Sequence, residues 1–404
     1  MTVTTADLVV VGAGVMGAWT ALRALEDGRE TLLVDAFGPG DARATSSEAS
    51  RLSRASHGTD EWYTRSSRLA REDWIALGEE TGEALFIQTG VAWFGHREDG
   101  FEAASLATLA SLGIPVERLT PDEAGRRWPA VASDDLAFVV HEPEAGVLRA
   151  ARGVAATVGA FERRGGHKLV ARVRPGRTDG QRLLDVVDDP GNRFAAGAFV
   201  FAAGPWLPRL FPDQLAALIA VTKQDVLYFG PATSDTRFEV DRFPAWVDYD
   251  RAFYGSPALD GHGPKAAPDA YGRSFDPDAE DRLVDRESID RTREYLRQRL
   301  PDLADRPVVE SRVCQYESTP DTHFVIDRHP YLQNVWLVGG GSGHGFKHGP
   351  QIGRHVVELL NGRTFGPEDG RFALQRSPAA GPALRSGGST PRSSHSPATE
   401  PTLP

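Results

Sequence analysis

Residues 12–17 read Gly-Ala-Gly-Val-Met-Gly, a G-x-G-x-x-G placed between an apolar run (7–12, DLVVVG) and a stretch with helical spacing (15–27). The chemistry such a segment serves is the binding of a pyrophosphate. Gly12 permits the tight turn, Gly14 lets the backbone approach the phosphates, and Gly17 lets the helix pack on the strand. The partial positive charge at the helix N-terminus attracts the anion. Asp35 stands 18 residues after Gly17, at the end of a second apolar run (31–35, TLLVD), where it can accept hydrogen bonds from ribose hydroxyls. The glycines alone are a weak signal; strand, helix and acid together make a dinucleotide site, without separating FAD from NAD.

A second chemical feature is Cys314, the only cysteine among 404 residues. Internal disulfides and thiolate-rich zinc or iron–sulfur sites are therefore excluded. A lone cysteine is ordinarily a small buried apolar group. The net charge is −11 and the basic residues form no stripe, so nucleic acid and anionic membranes are poor partners, although a local cation pair can still attract a carboxylate. No apolar run approaches the roughly 20 residues needed to cross a bilayer. Residues 1–7 lack a basic segment followed by a cleavage site, and the expected location is cytoplasmic.

The elements that must position these groups are legible from pattern. The runs 7–12 and 31–35 flank a helix with Trp19, Leu22 and Leu25 on one face, which gives a βαβ unit. A second amphipathic helix spans 66–81 and contains Trp74. Short strands are expected at 91–94, 137–140, 184–187 and 226–229, separated by Pro/Gly turns. Residues 198–203 (AFVFAA) run into Gly204-Pro205-Trp206, and 335–338 run into Gly339-Gly340-Gly341; a helix over 350–360 ends at Asn361-Gly362. Strands from the start, middle and end of the chain thus belong to one sheet.

The expected fold is α/β: a discontinuous Rossmann-like FAD-binding domain (1–85, 145–215 and 305–372) with an inserted α+β substrate domain (86–144 and 216–304) built on a mixed or antiparallel sheet. An NAD enzyme would keep its nucleotide fold contiguous, so the interruption favours FAD. From about Ala373 the composition turns to Ser, Pro, Gly and Thr without periodicity, and 373–404 is expected to be a disordered tail.

Several further segments carry a resemblance. They are Ser50-Arg51-Leu52-Ser53-Arg54, Ala202-Ala203-Gly204-Pro205-Trp206, Gly263-Pro264-Lys265 ahead of Asp276-Pro277-Asp278, residues 314–327 (CQYESTPDTHFVID), and Gly341-Ser342-Gly343-His344-Gly345-Phe346-Lys347. With the fingerprint, they make residues 6–365 resemble the monomeric sarcosine oxidase and N-methyltryptophan oxidase group of the D-amino-acid-oxidase-like flavoproteins.

The resemblance implies a monomeric FAD enzyme that oxidises the C–N bond of a secondary amine or of an N-alkyl or cyclic amino acid, with O2 reduced to H2O2. It implies that Cys314 carries the flavin through a thioether. Gly12, Gly14, Gly17, Asp35, Ser50, Gly204, Trp206, Gly341, Gly343, His344 and Gly345 would contact the cofactor, and Arg51 would lie against its ring. Arg54 and Lys347 match the residues that take the substrate carboxylate, a task suited to the planar guanidinium. Lys265 matches the lysine that promotes reaction with oxygen, where a fixed positive charge stabilises superoxide as it forms. Tyr254 and Tyr316 match aromatic walls of the substrate cavity, or else are core residues. No metal is implied.

Two departures stand out. Asp269 occupies a position at which sarcosine oxidases have histidine; it could meet a substrate ammonium, serve a larger substrate, or turn away toward Arg273. Ser46-Ser47-Glu48-Ala49 lacks the histidine and glycine usual near the flavin edge. Sarcosine itself is therefore in doubt, and cyclic imino acids such as pipecolate or proline fit about as well. Two alternatives remain open: a dehydrogenase that passes electrons to a carrier in a biosynthetic pathway, and a flavin-binding protein without turnover.

Overall fold

The computed structural model describes residues 3–376 except 365. Its centre is a sheet in which Val3–Val11 lies between Arg193–Phe201 and Thr31–Asp35, parallel to both. Val335–Gly339 joins parallel to the far end of Arg193–Phe201. The three strands expected from separated parts of the chain therefore do form one sheet. Leu8, Val9 and Val10 are fully buried, as parallel strands covered on both faces must be.

The helix Val15–Glu26 packs against Gly349–Leu360 at unusually short range. A Cβ on Gly353 would stand 2.7 Å from the Trp19 carbonyl, so only glycine allows this crossing. A long helix, Glu61–Thr81, is capped at its start by Asp60, whose side chain accepts from Tyr63 N, and stopped by Gly82 at φ 69°. Its buried Trp74 donates Nε1–H to the Lys347 carbonyl at 3.1 Å and stacks on Phe346, with ring centroids 5.6 Å apart. That helix thereby fixes the turn carrying Lys347. No helix among the described residues is long and apolar enough to cross a membrane.

A second sheet of eight strands runs Val308–Ser318, Ala220–Phe229, Lys265–Pro268, Phe253–Ser256, Ala245–Asp248, Val91–Gly95, Phe138–Glu142, Glu117–Leu119. It is mixed: Ala245–Asp248 is parallel to Val91–Gly95 and the other pairs are antiparallel. The Cys314 strand pairs along its length with Ala220–Phe229, so it belongs to this sheet. A small third sheet pairs Ser50–Ser53 with Gly146–Arg149 and Phe86–Ile87.

The expected tail, 373–404, lies outside the described residues from 377 onward. Its first residues are anchored: Leu374 N donates to Asp327, and Arg376 makes an ion pair with the buried Asp321 at 2.6 Å. The low-complexity composition concealed this one arginine.

Candidate active site

The fingerprint turn is shaped as its glycines require. Gly12 has φ 107°, and a Cβ there would stand 2.3 Å from the Ala202 carbonyl oxygen. A Cβ on Gly17 would meet the Gly12 carbonyl oxygen at 1.9 Å, which fixes how closely helix and strand approach. Gly14, by contrast, has only Ser46 Oγ nearby, at 3.5 Å. The helix has no acidic residue in its first turn, and its Val15 N–H is held by Ser46 Oγ at 3.1 Å. Asp35 does more than was expected of it: its carboxylate accepts backbone N–H groups from Ala13, Phe37 and Gly38 at 2.7–2.8 Å, and so ties the turn to the second strand.

A cavity opens over this turn. Its wall includes Gly12, Gly14, Asp35, Phe37, Arg51, Gly204, Trp206, Tyr316, Glu317, Gly341, Gly343 and Gly345. Most of the sequence-derived cofactor residues are thus in one wall. Ser50 is not; it is buried, with its Oγ 3.4 Å from Ser256 Oγ. Cys314 is also behind the wall, yet its Sγ accepts from Arg51 Nη2 at 3.2 Å and lies 3.6 Å from the Thr45 carbonyl, and both those residues line the cavity. Burial pushes the Cys314 thiol up, against the opposing pull of Arg51. An open backbone at Gly14, a helix N-terminus facing the cavity wall and an acid at the strand terminus suit a dinucleotide, so the residues present fit FAD.

A smaller cavity adjoins the first, and Arg51, Tyr316, Gly343 and Phe346 line both. Its wall adds Arg54, Trp93, Tyr249, Tyr254, Asp269, His344 and Lys347. Every residue singled out for substrate contact is therefore in one place. Three elements supply them. Arg51 and Arg54 come from the third sheet and its exit, Tyr254 and Tyr316 from the second sheet, and His344 and Lys347 from the turn after Val335–Gly339.

Two cations face this space, Lys347 buried and Arg54 partly exposed. Arg54 lies 4.9 Å from the Trp93 ring centroid and donates to the Ser56 carbonyl; burial pushes it down to about 10, against the attraction of Glu142 and Asp269. Glu142 is a residue the sequence did not reveal. Its carboxylate accepts from Ala55 N, Ser56 N, Ser56 Oγ and Trp93 Nε1, and so holds the wall behind Arg54. Lys347 donates to the His344 carbonyl at 2.8 Å, and burial holds its ammonium well below the usual lysine range. Arg273 pairs with Glu280, while Asp269 lines the cavity and accepts from the Tyr316 hydroxyl at 3.4 Å.

Lys265 is fully buried behind the junction of the cavities and lines neither. Its Nζ is 2.7 Å from Glu48 Oε1 and 3.4 Å from the Ser50 carbonyl, and it lies 4.8 Å from the Tyr254 ring centroid. Glu48 also accepts from Arg51 and from Tyr228 Oη. Burial alone would raise this carboxyl, but Arg51 and Lys265 outweigh it and hold it at about 2. Glu317, in the wall of the larger cavity, is the opposite case: burial raises it to about 7, and its Oε2 has no partner.

Among the described residues one trio could hold a metal ion: His57, His344 and His348, with facing ring atoms within 4.8 Å of one another. Burial and the neighbouring Lys347 keep all three neutral. The same cations, Lys347 and Arg54, oppose a dication there. His344 donates Nε2–H to the Thr322 carbonyl at 2.9 Å, which orients the turn.

Comparison with known proteins agrees with this architecture. The chain is 30% identical over 372 residues to monomeric sarcosine oxidase from Bacillus sp. (strain B-0618), which covers 89% of this chain and 93% of that enzyme. It is 27% identical to N-methyl-L-tryptophan oxidase from Yersinia pestis, over 92% of this chain and 99% of that one. Among solved structures, NikD, an amino acid oxidase essential for nikkomycin biosynthesis, superposes with a TM-score of 0.77 at 24% identity, covering 92% of this chain and 97% of NikD. L-proline dehydrogenase from P. horikoshii gives 0.80 at 20%, covering 92% and 98%. The pattern of the FAD dependent oxidoreductase family, DAO, matches residues 7–359, and the chain belongs to that family.

Proposed function

We propose that this protein oxidises the C–N bond of a secondary amino acid, with FAD held covalently by Cys314 and O2 as the final electron acceptor. The observation that carries the reading is the second cavity. It gathers two cations, Arg54 and Lys347, with aromatic and phenolic side chains, and it adjoins the fingerprint cavity through four shared residues. The relatives named sarcosine oxidase and N-methyltryptophan oxidase support the substrate class.

Bound FAD would supply the two-electron acceptor for the hydride equivalent lost from carbon. The protein's own residues do the rest. Arg54 and Lys347 take the substrate carboxylate, and the ion pair restores to each the charge that burial disfavours. Trp93, Tyr249 and Tyr254 exclude water along the apolar part of the substrate. Asp269, placed by Tyr316, offers an acceptor to the amine or to a second polar group. Lys265 provides a fixed positive charge behind the cavity junction, where oxygen reduction gains from it. Overall, CH–NH and O2 become C=N and H2O2, and water then hydrolyses the imine. We take the working form to be a cytoplasmic monomer, in line with the monomeric sarcosine oxidases of Bacillus and Streptomyces avermitilis that it resembles.

The test compares N-methyl amino acids and cyclic imino acids with their methyl esters while hydrogen peroxide is measured. Free acids should exceed esters in kcat/KM by about 10²–10³, as expected for loss of a charge-assisted contact on these cations. R54M and K347M should each remove most of that preference. Equal use of acid and ester would contradict the carboxylate site.

A further inference from the structure

Glu48 has no part in the account so far, yet its surroundings are specific. Its carboxylate side chain is 4% exposed, and Lys265 is fully buried against it. Oε1 accepts from Lys265 Nζ at 2.7 Å and from Tyr228 Oη at 3.0 Å, while Oε2 accepts from Arg51 Nη1. The partners come from separate elements: Arg51 from Ser50–Ser53, Tyr228 from Ala220–Phe229 and Lys265 from Lys265–Pro268. In the sheet Tyr228 and Lys265 are direct cross-strand neighbours, so both present their polar ends to one point.

We infer that Glu48 is a positioning residue that keeps the proton on Lys265; its consequence for oxygen chemistry rests on the role given to Lys265 above. The argument is one of charge. Arg51, Glu48 and Lys265 together carry one net positive charge, with Glu48 and Lys265 buried and Arg51 13% exposed at the cavity wall. Removing the carboxylate leaves the buried lysine beside a guanidinium with no anion between them. A guanidinium does not surrender its proton in a protein, whereas a buried lysine does so readily. The lysine therefore becomes neutral.

The other titratable groups that face Lys265 cannot substitute for Glu48. Tyr254 on the neighbouring strand and Tyr228 across from it are both pushed up by burial and stay neutral, and the Cys314 thiol is likewise raised. Ser50 offers only a carbonyl at 3.4 Å. Burial and Arg51 both drive Lys265 below the usual lysine range, and Glu48 is the strongest group acting in the other direction.

The experiment uses the holoenzyme reduced by light, so that no amine need bind, and mixes it with oxygen between about pH 6 and 9.5. The variants are E48Q, E48D, K265M and the double variant E48Q/K265M. The wild type should reoxidise at a constant rate across this range. K265M should be slower by about 10²-fold and flat, as for loss of one fixed stabilising group. E48Q should match the wild type at the acid end and fall to the K265M rate as pH rises. E48D should make the same transition at higher pH, and E48Q/K265M should equal K265M. Sulfite affinity of the oxidised flavin, which a nearby positive charge strengthens, should weaken in E48Q along the same pH transition.

An E48Q enzyme that is flat at the wild-type rate overturns the inference. So does one reduced equally at every pH, because that reports lost shape and not a lost proton. If E48Q does not fold, E48D carries the test, and a flat E48D profile at the wild-type rate overturns it. K265M reoxidising at the wild-type rate, with the sulfite transition present in E48Q, upholds Glu48 as the proton's keeper and removes the oxygen role of Lys265.

Discussion

At the scale of single residues, Cys314 shows how position changes the meaning of a common side chain. A buried, lone thiol is by default inert, and burial here raises its pKa. What distinguishes it is Arg51, which reaches Sγ at 3.2 Å while also lining both cavities. If this thiol carries the flavin, C314A should fold and still take up FAD, but release all of it on acid precipitation. Wild-type protein should stay yellow under the same treatment. Loss of colour from both would show that the cofactor is held by contacts alone.

Glu48 and Asp269 illustrate what sequence reading reaches and where it stops. Both were visible as departures from the resembled pattern; Asp269 was given three candidate roles there and Glu48 none. Tyr228, one of the groups that Glu48 binds, lies 180 residues away in the chain, and such pairings depend on three-dimensional placement. Glu142 gave no signal, because an acid on a strand resembles any solvated one until Ala55, Ser56 and Trp93 are seen to surround it. Glycine positions were the most legible, since each is dictated by local backbone sterics.

Among elements, the contact between the first strand and the first helix decides whether a cofactor can be held. Gly17 is the critical position: an added methyl would stand 1.9 Å from the Gly12 carbonyl oxygen. G17A should push the helix off the turn and lower bound FAD by at least about tenfold, with a fall in Tm of several degrees, as for an overpacked core site. G28A, on a turn where a Cβ meets nothing within 4 Å, controls for the loss of a glycine at φ 87°, and should leave FAD content unchanged. Elements with strong periodicity, such as the helix Glu61–Thr81, were legible in the sequence to within a turn or so at the N-terminal end. Sheet membership of the Cys314 strand was not. Its alternation fits either sheet, and only pairing with Ala220–Phe229 assigns it.

For the whole molecule, two sheets with different tasks meet at one junction. The first sheet, parallel at its centre, carries the fingerprint turn, and the second carries the thiol, the lysine and the phenols. Arg51, Tyr316, Gly343 and Phe346 belong to both cavities, so the proposed substrate and cofactor sites adjoin there. The central claim is that electrons pass from a secondary amino acid to the flavin and then to oxygen across that junction. It is tested most directly by the visible spectrum of the purified protein under anaerobic conditions. Sarcosine, N-methyltryptophan, pipecolate and proline are added in turn, with primary amino acids as controls, and air is then admitted. The account predicts that at least one secondary amino acid bleaches the flavin and that its colour returns promptly in air. A flavin that no member of the panel bleaches would contradict it.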